Sequence, residues 1–244
     1  MLRVLLLLIT VIGLSSVSLV LPAAASTATD DLQDKPPAKR IIALSPHGVE
    51  MLFAIGAGES IVATTDYADF PEAAKDIPSI GGYYGIQIER VIELNPDLIV
   101  VWQSGNKMED IKQLRDLGFT LFNSDPKHLA DIATDLELLG QLTGHSAKAK
   151  QVADDYRQQL ADITLQNQTK PAVKVFYQLW STPLMTVAKG SWIQNLIEVC
   201  HGDNVFFDAA SEYPQISIEN VLLTDAEVIL QSQDEGNILG INWS

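Results

Sequence analysis

The sequence predicts an α/β protein built as two α/β lobes joined by one long helix. Short β-type runs alternate with segments whose apolar residues recur at helical spacing, the pattern of layers packed around mainly parallel sheets. The chain has 244 residues, of which 47% are hydrophobic and 19% are charged. This apolar content can bury one large core or two small ones and is too high for a disordered chain.

The chain opens with an apolar run, Val4 to Leu21, that follows Arg3 and ends in a Pro-Ala-Ala-Ala-Ser segment. These features predict a cleaved signal peptide over residues 1–25. A retained membrane anchor is the alternative, because about 20 apolar residues span a bilayer. No cysteine lies directly after the run, which excludes a lipid-anchored lipoprotein. We therefore expect a soluble periplasmic protein that begins with a disordered leader over residues 26–39.

Six β-type runs follow in order along the chain, four before its middle and two after it. They are Arg40–Leu44, Ile61–Thr65, Leu98–Trp102, Phe119–Asn123, Val173–Leu179 and Glu227–Gln231. Helical spacing between them predicts one helix that ends at Gly118 and another that ends at Gly144. Ser146 can cap the next helix, whose apolar positions keep the 3.6-residue period as far as Ile163.

That last helix divides the folded part of the chain. We predict an N-terminal lobe over residues 40–143, a connecting helix over 144–170 and a C-terminal lobe over 171–244. The connection is rich in helix formers, unlike flexible linkers, so it is expected to act as a semi-rigid rod without large hinge motion.

The two halves share an internal repeat at a constant offset of 130 positions. Tyr83 and Glu89 match Tyr213 and Glu219, and each pair precedes a short amphipathic helix, an Asx-type turn and a buried strand. A chance likeness between two helix-turn-strand units is the alternative. The repeat predicts that the two tyrosines face each other from the two lobes and that the two glutamates lie on matching outer helices.

Composition excludes several classes of function. A formal net charge of −15 leaves no surface for neutralising phosphates, so nucleic acid is not an expected partner. Cys200 is the only cysteine, which excludes a disulfide framework or a multi-cysteine metal site within the chain. The common hydrolase, zinc-helix and phosphate-loop motifs are absent, and Gly56-Ala57-Gly58 fits a helix C-cap better than a dinucleotide loop. We expect no enzyme activity and no cofactor.

The four histidines are scattered singly and lack metal-ligand spacing. A dedicated metal site is therefore not expected. A histidine-lined site assembled by the fold is the alternative, and His47 is its best candidate.

Aromatic residues point more clearly to a ligand site. They lie at predicted strand ends or in loops and comprise Tyr67, Tyr83, Tyr84, Trp102, Trp180 and Tyr213. Ligands of open α/β sheets bind beyond the carboxyl ends of the strands, so Trp102 and Trp180 are expected to line such a crevice. Ordinary core aromatics capping a sheet are the alternative. Several such rings from two lobes suit a large ligand with apolar faces and hydrogen-bonding edges.

Several motifs resemble the periplasmic vitamin B12-binding proteins of ABC importers, members of the class III helical-backbone substrate-binding superfamily. The motifs that carry the resemblance are Arg40–Glu50 (RIIALSPHGVE), Asp66–Pro71 (DYADFP), Ile88–Val91, Leu94–Ile99 and Ile197–Asn204. The first half of this pattern is shared with siderophore- and haem-binding relatives and identifies the superfamily only. The Tyr67 motif, Trp102 with Gly105-Asn106, the Glu-Val-Cys-x-Gly segment and Tyr213-Pro214-Gln215 favour cobalamin in particular.

The resemblance implies a non-catalytic receptor that holds cobalamin between two lobes and delivers it to an ABC permease dimer in the inner membrane. Family ligand contacts then correspond to Pro46, Tyr67, Tyr83, Trp102, Met185 and Tyr213. The permease-docking acids correspond to Glu89 and Glu219. The receptor is expected to be a monomer.

The chain departs from the family pattern in two respects. Tyr83 and Tyr213 stand where cobalamin binders commonly have Trp. Cys200 matches a family cysteine whose partner lies near the C-terminus, whereas this chain ends at Ser244 soon after its last predicted strand. The C-terminal lobe is therefore expected to be incomplete.

A receptor for a ferric siderophore or haem is the alternative within the superfamily, and an exported hydrolase is the alternative outside it. Iron chelates and haem propionates are anionic and favour Arg in the cleft. None of the five arginines falls in a predicted cleft loop, which favours an uncharged or weakly charged ligand.

Overall fold

A computed structural model of the protein describes residues 36–231. The predicted signal peptide, most of the predicted leader and residues 232–244 lie outside this range. The prediction that the C-terminal lobe is incomplete depends on those last residues and stays a prediction. Within the described range, no helix combines the length and the apolar composition that a membrane crossing requires.

The described residues form seven α-helices and eleven strands. The helices are α1 (Pro46–Ala54), α2 (Ile88–Leu94), α3 (Met108–Asp116), α4 (Leu129–Thr143), α5 (Ser146–Asn167), α6 (Trp192–Val199) and α7 (Ile218–Leu222). The strands are β1 (Ile41–Ala43), β2 (Ile61–Thr64), β3 (Gly81–Gly82), β4 (Gly85–Ile86), β5 (Leu98–Val101), β6 (Leu121–Asn123), β7 (Val173–Gln178), β8 (Trp180–Ser181), β9 (Leu184–Met185), β10 (Gly202–Asn204) and β11 (Val228–Gln231).

The first lobe is built on a parallel sheet with the strand order β2-β1-β5-β6. Because side chains alternate along a strand, Ile41 and Ala43 pack on one face with residues of α1, α4 and α5. Ile42 packs on the other face with residues of α2 and α3. Helices thus cover both faces, as a buried parallel sheet requires.

The second lobe repeats this plan on a smaller parallel sheet with the order β10-β7-β11. Val175 packs with Ile197 of α6, and the next residue, Phe176, packs on the opposite face with Val221 of α7. All six predicted strands are present, but β10 was missed because Gly-Asp-Asn has no β-type pattern. The hairpins β3-β4 and β8-β9 were also missed, since their strands have only two residues each.

The structure confirms the internal repeat at the level of secondary structure. Helices α2 and α7 begin 130 positions apart, as do strands β5 and β11. The turns between them contain Asn95 and Asp225, also 130 apart, and both have left-handed backbone. The acidic residue before β5 and the one before β11 each accept a hydrogen bond from the backbone at the start of the adjacent strand, β1 or β7. Asp97 Oδ2 accepts from the Arg40 amide at 3.0 Å, and Glu227 Oε1 accepts from the Lys174 amide at 3.1 Å.

The folded part begins before the predicted boundary at Arg40. Ala38 is buried, and its amide donates to the Leu142 carbonyl oxygen at 2.8 Å. The Lys39 amide donates to Asp97 at 2.8 Å. The end of the predicted disordered leader is therefore packed against the first lobe, because its backbone finds partners on α4 and beside β5.

A pair of packed helices joins the two lobes. Helix α4 ends at Gly144, whose φ of 77° is the left-handed conformation that glycine adopts most easily, and α5 starts two residues later. The expectation that Ser146 caps α5 was wrong, since the cap position is His145 and the Ser146 hydroxyl reaches back to the Gly140 carbonyl oxygen at 3.4 Å.

Three contacts hold α5 against α4. Arg157 makes two hydrogen bonds to the Glu137 carboxylate, at 2.7 and 2.9 Å. The Tyr156 hydroxyl donates to the Leu129 carbonyl oxygen at 2.9 Å. At Gly140 the helices approach so closely that an added Cβ would lie 2.2 Å from the Ala149 Cβ. The connecting helix is thus anchored along its first half.

The Gly140→Ala variant should be destabilised even though alanine is the better helix former. Alanine favours a helix by about 1 kcal/mol over glycine. Here its methyl group would overlap the rigid Ala149 side chain, and overpacking of this kind typically costs about 1 to 3 kcal/mol. Urea denaturation measures the change in the free energy of unfolding. Thr134→Ala, at an exposed position of the same helix, is the control and should change stability little. A Gly140→Ala variant more stable than the parent would contradict this account of the helix contact.

Candidate functional site

The principal cavity lies between the two lobes and has a volume of about 670 Å³. Its walls include α1, parts of α4 and α6, and the loops that follow β5, β6 and β7, so it lies at the carboxyl ends of these strands. The first lobe contributes His47, Glu50, Met51, Trp102, Ser104, Asp125, Pro126, Lys127 and Ile132. The second lobe contributes Leu179, Gly190, Trp192, Ile193, Glu212 and Tyr213.

Trp102 is held at the first-lobe wall by a tight turn after β5. Its backbone amide donates to Asn106 Oδ1 at 2.8 Å, and the Asn106 side-chain amide donates to the Leu44 carbonyl oxygen at 2.8 Å. Gly105 lies directly under the indole, where an added Cβ would fall 2.0 Å from the ring. A side chain at this position would displace Trp102, so the Gly105-Asn106 pair serves to place the indole.

Tyr213 is placed at the opposite wall by backbone pairing. The Glu212 carbonyl oxygen accepts from the Ala188 amide at 2.9 Å, and the Pro214 carbonyl oxygen accepts from the Thr186 amide at 3.1 Å. Tyr213 therefore lies between two backbone hydrogen bonds that fasten its segment beside residues 186–188. The cavity thus has aromatic side chains on facing lobes.

Charged groups in the cavity are mainly acidic. Glu50, Asp125 and Glu212 line it, and Lys127 is its one lysine or arginine among the described lining residues. The Lys127 ammonium group is 3.1 Å from Asp125 Oδ2, and the Ser104 hydroxyl donates to Asp125 Oδ1 at 2.5 Å. Burial acts to raise the pKa of Asp125, but the bonds from Ser104 and Lys127 outweigh it and lower the pKa. Asp125 is therefore ionised, and it pairs with the lysine.

A smaller cavity of about 190 Å³ also has Trp102 in its wall. Tyr67 and Tyr83 line it, and their side chains are 80% and 76% exposed. Asp66 organises this rim by accepting from the Ser79 hydroxyl at 2.5 Å and the Tyr84 hydroxyl at 2.8 Å. The two bonds lower the pKa of Asp66. Trp102 is thus a wall shared by both cavities.

The structure brings together four of the six predicted ligand contacts. Trp102 and Tyr213 line the larger cavity, and Tyr67, Tyr83 and Trp102 line the smaller one. Pro46, the first residue of α1, and Met185, in β9, are half-buried and line neither. Tyr83 and Tyr213, expected to face each other, lie in different cavities.

Trp180 was expected in the crevice, and this expectation was wrong. Its side chain is 52% exposed, its ring nitrogen donates to the Thr182 carbonyl oxygen at 3.0 Å, and neither cavity includes it. The β8-β9 hairpin turns this residue away from the strand end. Trp192, at the start of α6, lines the cavity instead. Sequence reasoning missed Asp125 and Lys127, although both directly follow the predicted strand that ends at Asn123.

The two predicted docking acids occupy matching exposed positions. Glu89 and Glu219 are each the second residue of a short helix, α2 and α7. A hydrogen bond from its own backbone amide and another from Ser217 lower the pKa of Glu219. Favourable interaction of a carboxylate with the helix dipole is the alternative explanation for both positions.

His47 is the histidine that contributes to the cavity wall. Its Nε2 lies 3.2 Å from the Ser124 carbonyl oxygen, and its ring meets the Trp102 ring edge to face with centroids 5.4 Å apart. Burial lowers the pKa of His47 and outweighs the opposing effects of Ser124 and Asp125. The imidazole is therefore neutral at neutral pH. Among residues 36–231, no group of three or more His, Cys, Asp or Glu side chains could hold a metal ion.

Sequence comparisons place this architecture among known proteins. The profile of a family described as periplasmic binding protein matches residues 41–238. The vitamin B12-binding protein of Vibrio cholerae serotype O1 is 38% identical over 206 residues, which cover 84% of this chain and 75% of that protein. The vitamin B12-binding protein of Yersinia pestis is 34% identical over 220 residues, which cover 89% of this chain and 79% of that protein.

Solved structures give the same result. The periplasmic vitamin B12 binding protein BtuF of Vibrio cholerae superposes with a TM-score of 0.76 at 38% identity, over 81% of this chain and 77% of that one. The periplasmic heme-binding protein RhuT of Roseiflexus has a TM-score of 0.72 at 24% identity, over 80% of this chain and 76% of that one, and shows a shared fold. These relatives are binding proteins rather than enzymes, and the two-lobed α/β fold with a connecting helix is confirmed.

Protonation of His47 should lower the free energy of unfolding as the pH drops below about 6.5. Because burial lowers the folded-state pKa, the unfolded chain binds this proton at a higher pH than the folded chain. The stabilisation that comes from neutral His47 is complete above the pKa of the unfolded chain. It is lost as the pH falls through the lower pKa of the folded chain. Urea denaturation between about pH 7.5 and 5 should therefore give a shallower pH dependence for His47→Gln than for the parent. Identical slopes would contradict a neutral, buried His47.

Proposed function

The chain belongs to the periplasmic binding protein family, and we propose that it is the solute receptor of an ABC importer that binds cobalamin or a related corrinoid. Its proposed place of action is the periplasm, which the protein reaches after cleavage of the signal peptide over residues 1–25. There it binds the corrinoid as a monomer and delivers it to the permease dimer in the inner membrane.

The observation that carries the proposal is the aromatic cavity between the lobes. Trp102 and Tyr213 line it from different lobes, and Tyr67 and Tyr83 line a smaller cavity that shares Trp102. A corrin is a large, nearly flat macrocycle with amide groups around its edge. Rings on both sides suit its faces, while serine, carboxylate and lysine side chains suit its edge.

The charge of the cavity favours a corrinoid over haem or a ferric siderophore. Propionates and iron chelates carry negative charge and require cationic partners. Lys127 is already paired with Asp125, and Glu50 and Glu212 add negative charge. None of the arginines in the described part of the chain lines the cavity. An anionic ligand would lose its hydration here without gaining a free cation.

Glu89 and Glu219 are the proposed docking residues. The repeat places one exposed carboxylate on each lobe, at the same position of a matching helix. A dimeric permease presents two equivalent surfaces, and an Arg on each could pair with one carboxylate. A pseudo-symmetric receptor thus offers two equivalent contacts to a symmetric partner.

Alanine substitution of either facing aromatic residue should weaken cyanocobalamin binding. A buried interface aromatic typically contributes about 1 to 3 kcal/mol, so Trp102→Ala and Tyr213→Ala should each lower the affinity by roughly 5- to 150-fold. Isothermal titration calorimetry measures the change directly. Trp180→Ala is the matched control, because this exposed tryptophan lines neither cavity. The Trp180→Ala variant should bind cyanocobalamin with the affinity of the parent.

Haem and a ferric siderophore serve as the competing ligands in the same titrations. The proposal requires cyanocobalamin to bind more tightly than either. Tighter binding of haem or of the siderophore, with sensitivity to Trp102→Ala, would assign the cavity to an iron ligand instead. Parent-like affinity for cyanocobalamin in both alanine variants would remove the two aromatic residues from the site.

Reversing both proposed docking charges should abolish transport without affecting ligand binding. The Glu89→Lys/Glu219→Lys protein should bind cyanocobalamin like the parent, because neither residue lines a described cavity, yet fail to support uptake with its permease. Uptake of labelled vitamin into proteoliposomes measures transport. Glu59→Lys/Asp155→Lys makes the same charge change at exposed positions on other elements and should transport normally. Normal uptake by a folded Glu89→Lys/Glu219→Lys protein would contradict the docking role. Interaction with the helix dipole would then be the remaining explanation for the two carboxylates.

A further inference from the structure

The two lobes do not share a hydrophobic core. Among residues 36–231, no hydrophobic cluster contains side chains from both lobes. Helix α5 connects them, but its packing against α4 is confined to its first half, and residues 161–166 in the second half are all exposed. A stretch of helix with few buried contacts can bend. The separation of the lobes therefore needs a restraint besides α5.

Asn195, in α6 of the second lobe, supplies hydrogen bonds to the first lobe. Its Nδ2 donates to the Lys127 carbonyl oxygen at 3.2 Å, and its Oδ1 lies 3.4 Å from His128 Nδ1. The same Nδ2 is 3.3 Å from the Ser191 carbonyl oxygen and 3.2 Å from that of Trp192. Carbonyl oxygens only accept hydrogen bonds, so the amide nitrogen faces them and Oδ1 is left to accept from the imidazole. One orientation of the amide thus makes both contacts to the first lobe.

These contacts join two parts of the wall of the principal cavity. Lys127 lines that cavity from the first lobe, and Trp192 and Ile193 line it from the second. Asn195 lies within one turn of Trp192 on α6 and lines neither of the two cavities described above. The backbone of the Lys127–His128 segment is therefore held to the helix that carries the opposite wall, although Asn195 itself does not face the ligand space.

We propose that Asn195 is a positioning residue that forms an interlobe latch with the Lys127 carbonyl group and the His128 imidazole, and that this latch slows ligand release. The inference rests on the proposed function for the ligand and adds control of its release. With the latch broken, the lobes separate by bending of the exposed part of α5, and a bound corrinoid loses its contacts with one lobe. The net contribution of one or two hydrogen bonds corresponds to a change of roughly 5- to 30-fold in the rate of release.

The first test needs no ligand and measures the separation of the lobes directly. Cys200, exposed in the second lobe, takes one spin label, and Lys112→Cys, at an exposed position of α3, takes the other. Double electron–electron resonance gives the distribution of distances between the two labels. Asn195→Ala in this doubly labelled protein should lengthen and broaden the distribution. Leu196→Ala, at the exposed next position of α6, is the matched control and should leave it unchanged.

The second test measures the release of cyanocobalamin by stopped-flow tryptophan fluorescence. Asn195→Ala should raise the dissociation rate constant roughly 5- to 30-fold, while association is as fast as in the parent or faster, because wider lobes do not hinder entry. A residue that only stabilised the fold would change the free energy of unfolding and leave the label distances and the dissociation rate at the parent values.

His128→Ala tests whether the two side chains act as one unit. This exposed residue provides one of the two contacts, so its removal alone should speed release less than Asn195→Ala. The Asn195→Ala/His128→Ala protein should release the ligand no faster than Asn195→Ala, because both substitutions remove the same contact. Effects that multiply in the double variant would contradict a shared latch.

The outcomes separate this inference from the proposed function. Failure of the parent to bind cyanocobalamin would overturn the proposed function, and the label distances would still decide whether the latch exists. Tight binding together with parent-like distances in Asn195→Ala would overturn only the latch. Longer distances without faster release would overturn its role in retaining the ligand.

Discussion

The site depends on the close contact between α4 and α5 at Gly140 and Ala149. Helix α4 belongs to the core of the first lobe, and α5 runs from it to the second sheet. Without a side chain at Gly140 the helix axes can come together, and the Arg157–Glu137 pair and the Tyr156 hydroxyl then lock the register. This packing anchors the helix that leads to the second lobe. Two hydrogen bonds of Asn195 in α6, to Lys127 and to His128, tie the lobes together near the cavity.

Trp102 links the local chemistry of the site to this frame. One tight turn places its ring, and Trp102 lines both the cavity between the lobes and the smaller cavity lined by Tyr67 and Tyr83. His47 meets its edge, and Gly105 lies beneath it. The backbone of β5 leads directly into this turn, so the position of the indole follows from the buried first sheet rather than from a mobile loop. A rigid aromatic wall loses little conformational entropy on binding.

Sequence patterns predicted the parts of the fold that depend on burial. All six strands with continuous apolar runs are present, and Gly118 and Gly144 end helices as expected, because solvent exclusion and left-handed backbone leave clear patterns in a sequence. Strand β10 left no such pattern, since it joins the sheet through backbone hydrogen bonds and its composition is polar. The hairpins β3-β4 and β8-β9 also left no pattern, because strands of two residues are too short to show an apolar alternation.

The sequence predicted those site residues that lie just beyond the carboxyl end of a buried strand, and it did not predict the others. Trp102 follows a buried strand and lies in the crevice, whereas Trp180 follows another and is turned outward by a hairpin that no local pattern marks. Glu212 and Tyr213 line the cavity from a segment that pairs with residues 186–188. The His47 ring contacts a carbonyl oxygen 77 positions away in the chain. Contacts of that range are set by the assembled fold.

The electrostatics of the cavity suit a ligand with a cationic centre and little anionic charge. Glu50, Asp125 and Glu212 make the walls acidic, and Lys127 offsets only one of them. Burial keeps His47 uncharged, so it adds a lone pair instead of a positive charge. A protonated histidine or a free arginine at the same place would favour propionates and iron chelates. With His47 neutral, Lys127 is the only positively charged side chain among the described lining residues, and it is paired with Asp125.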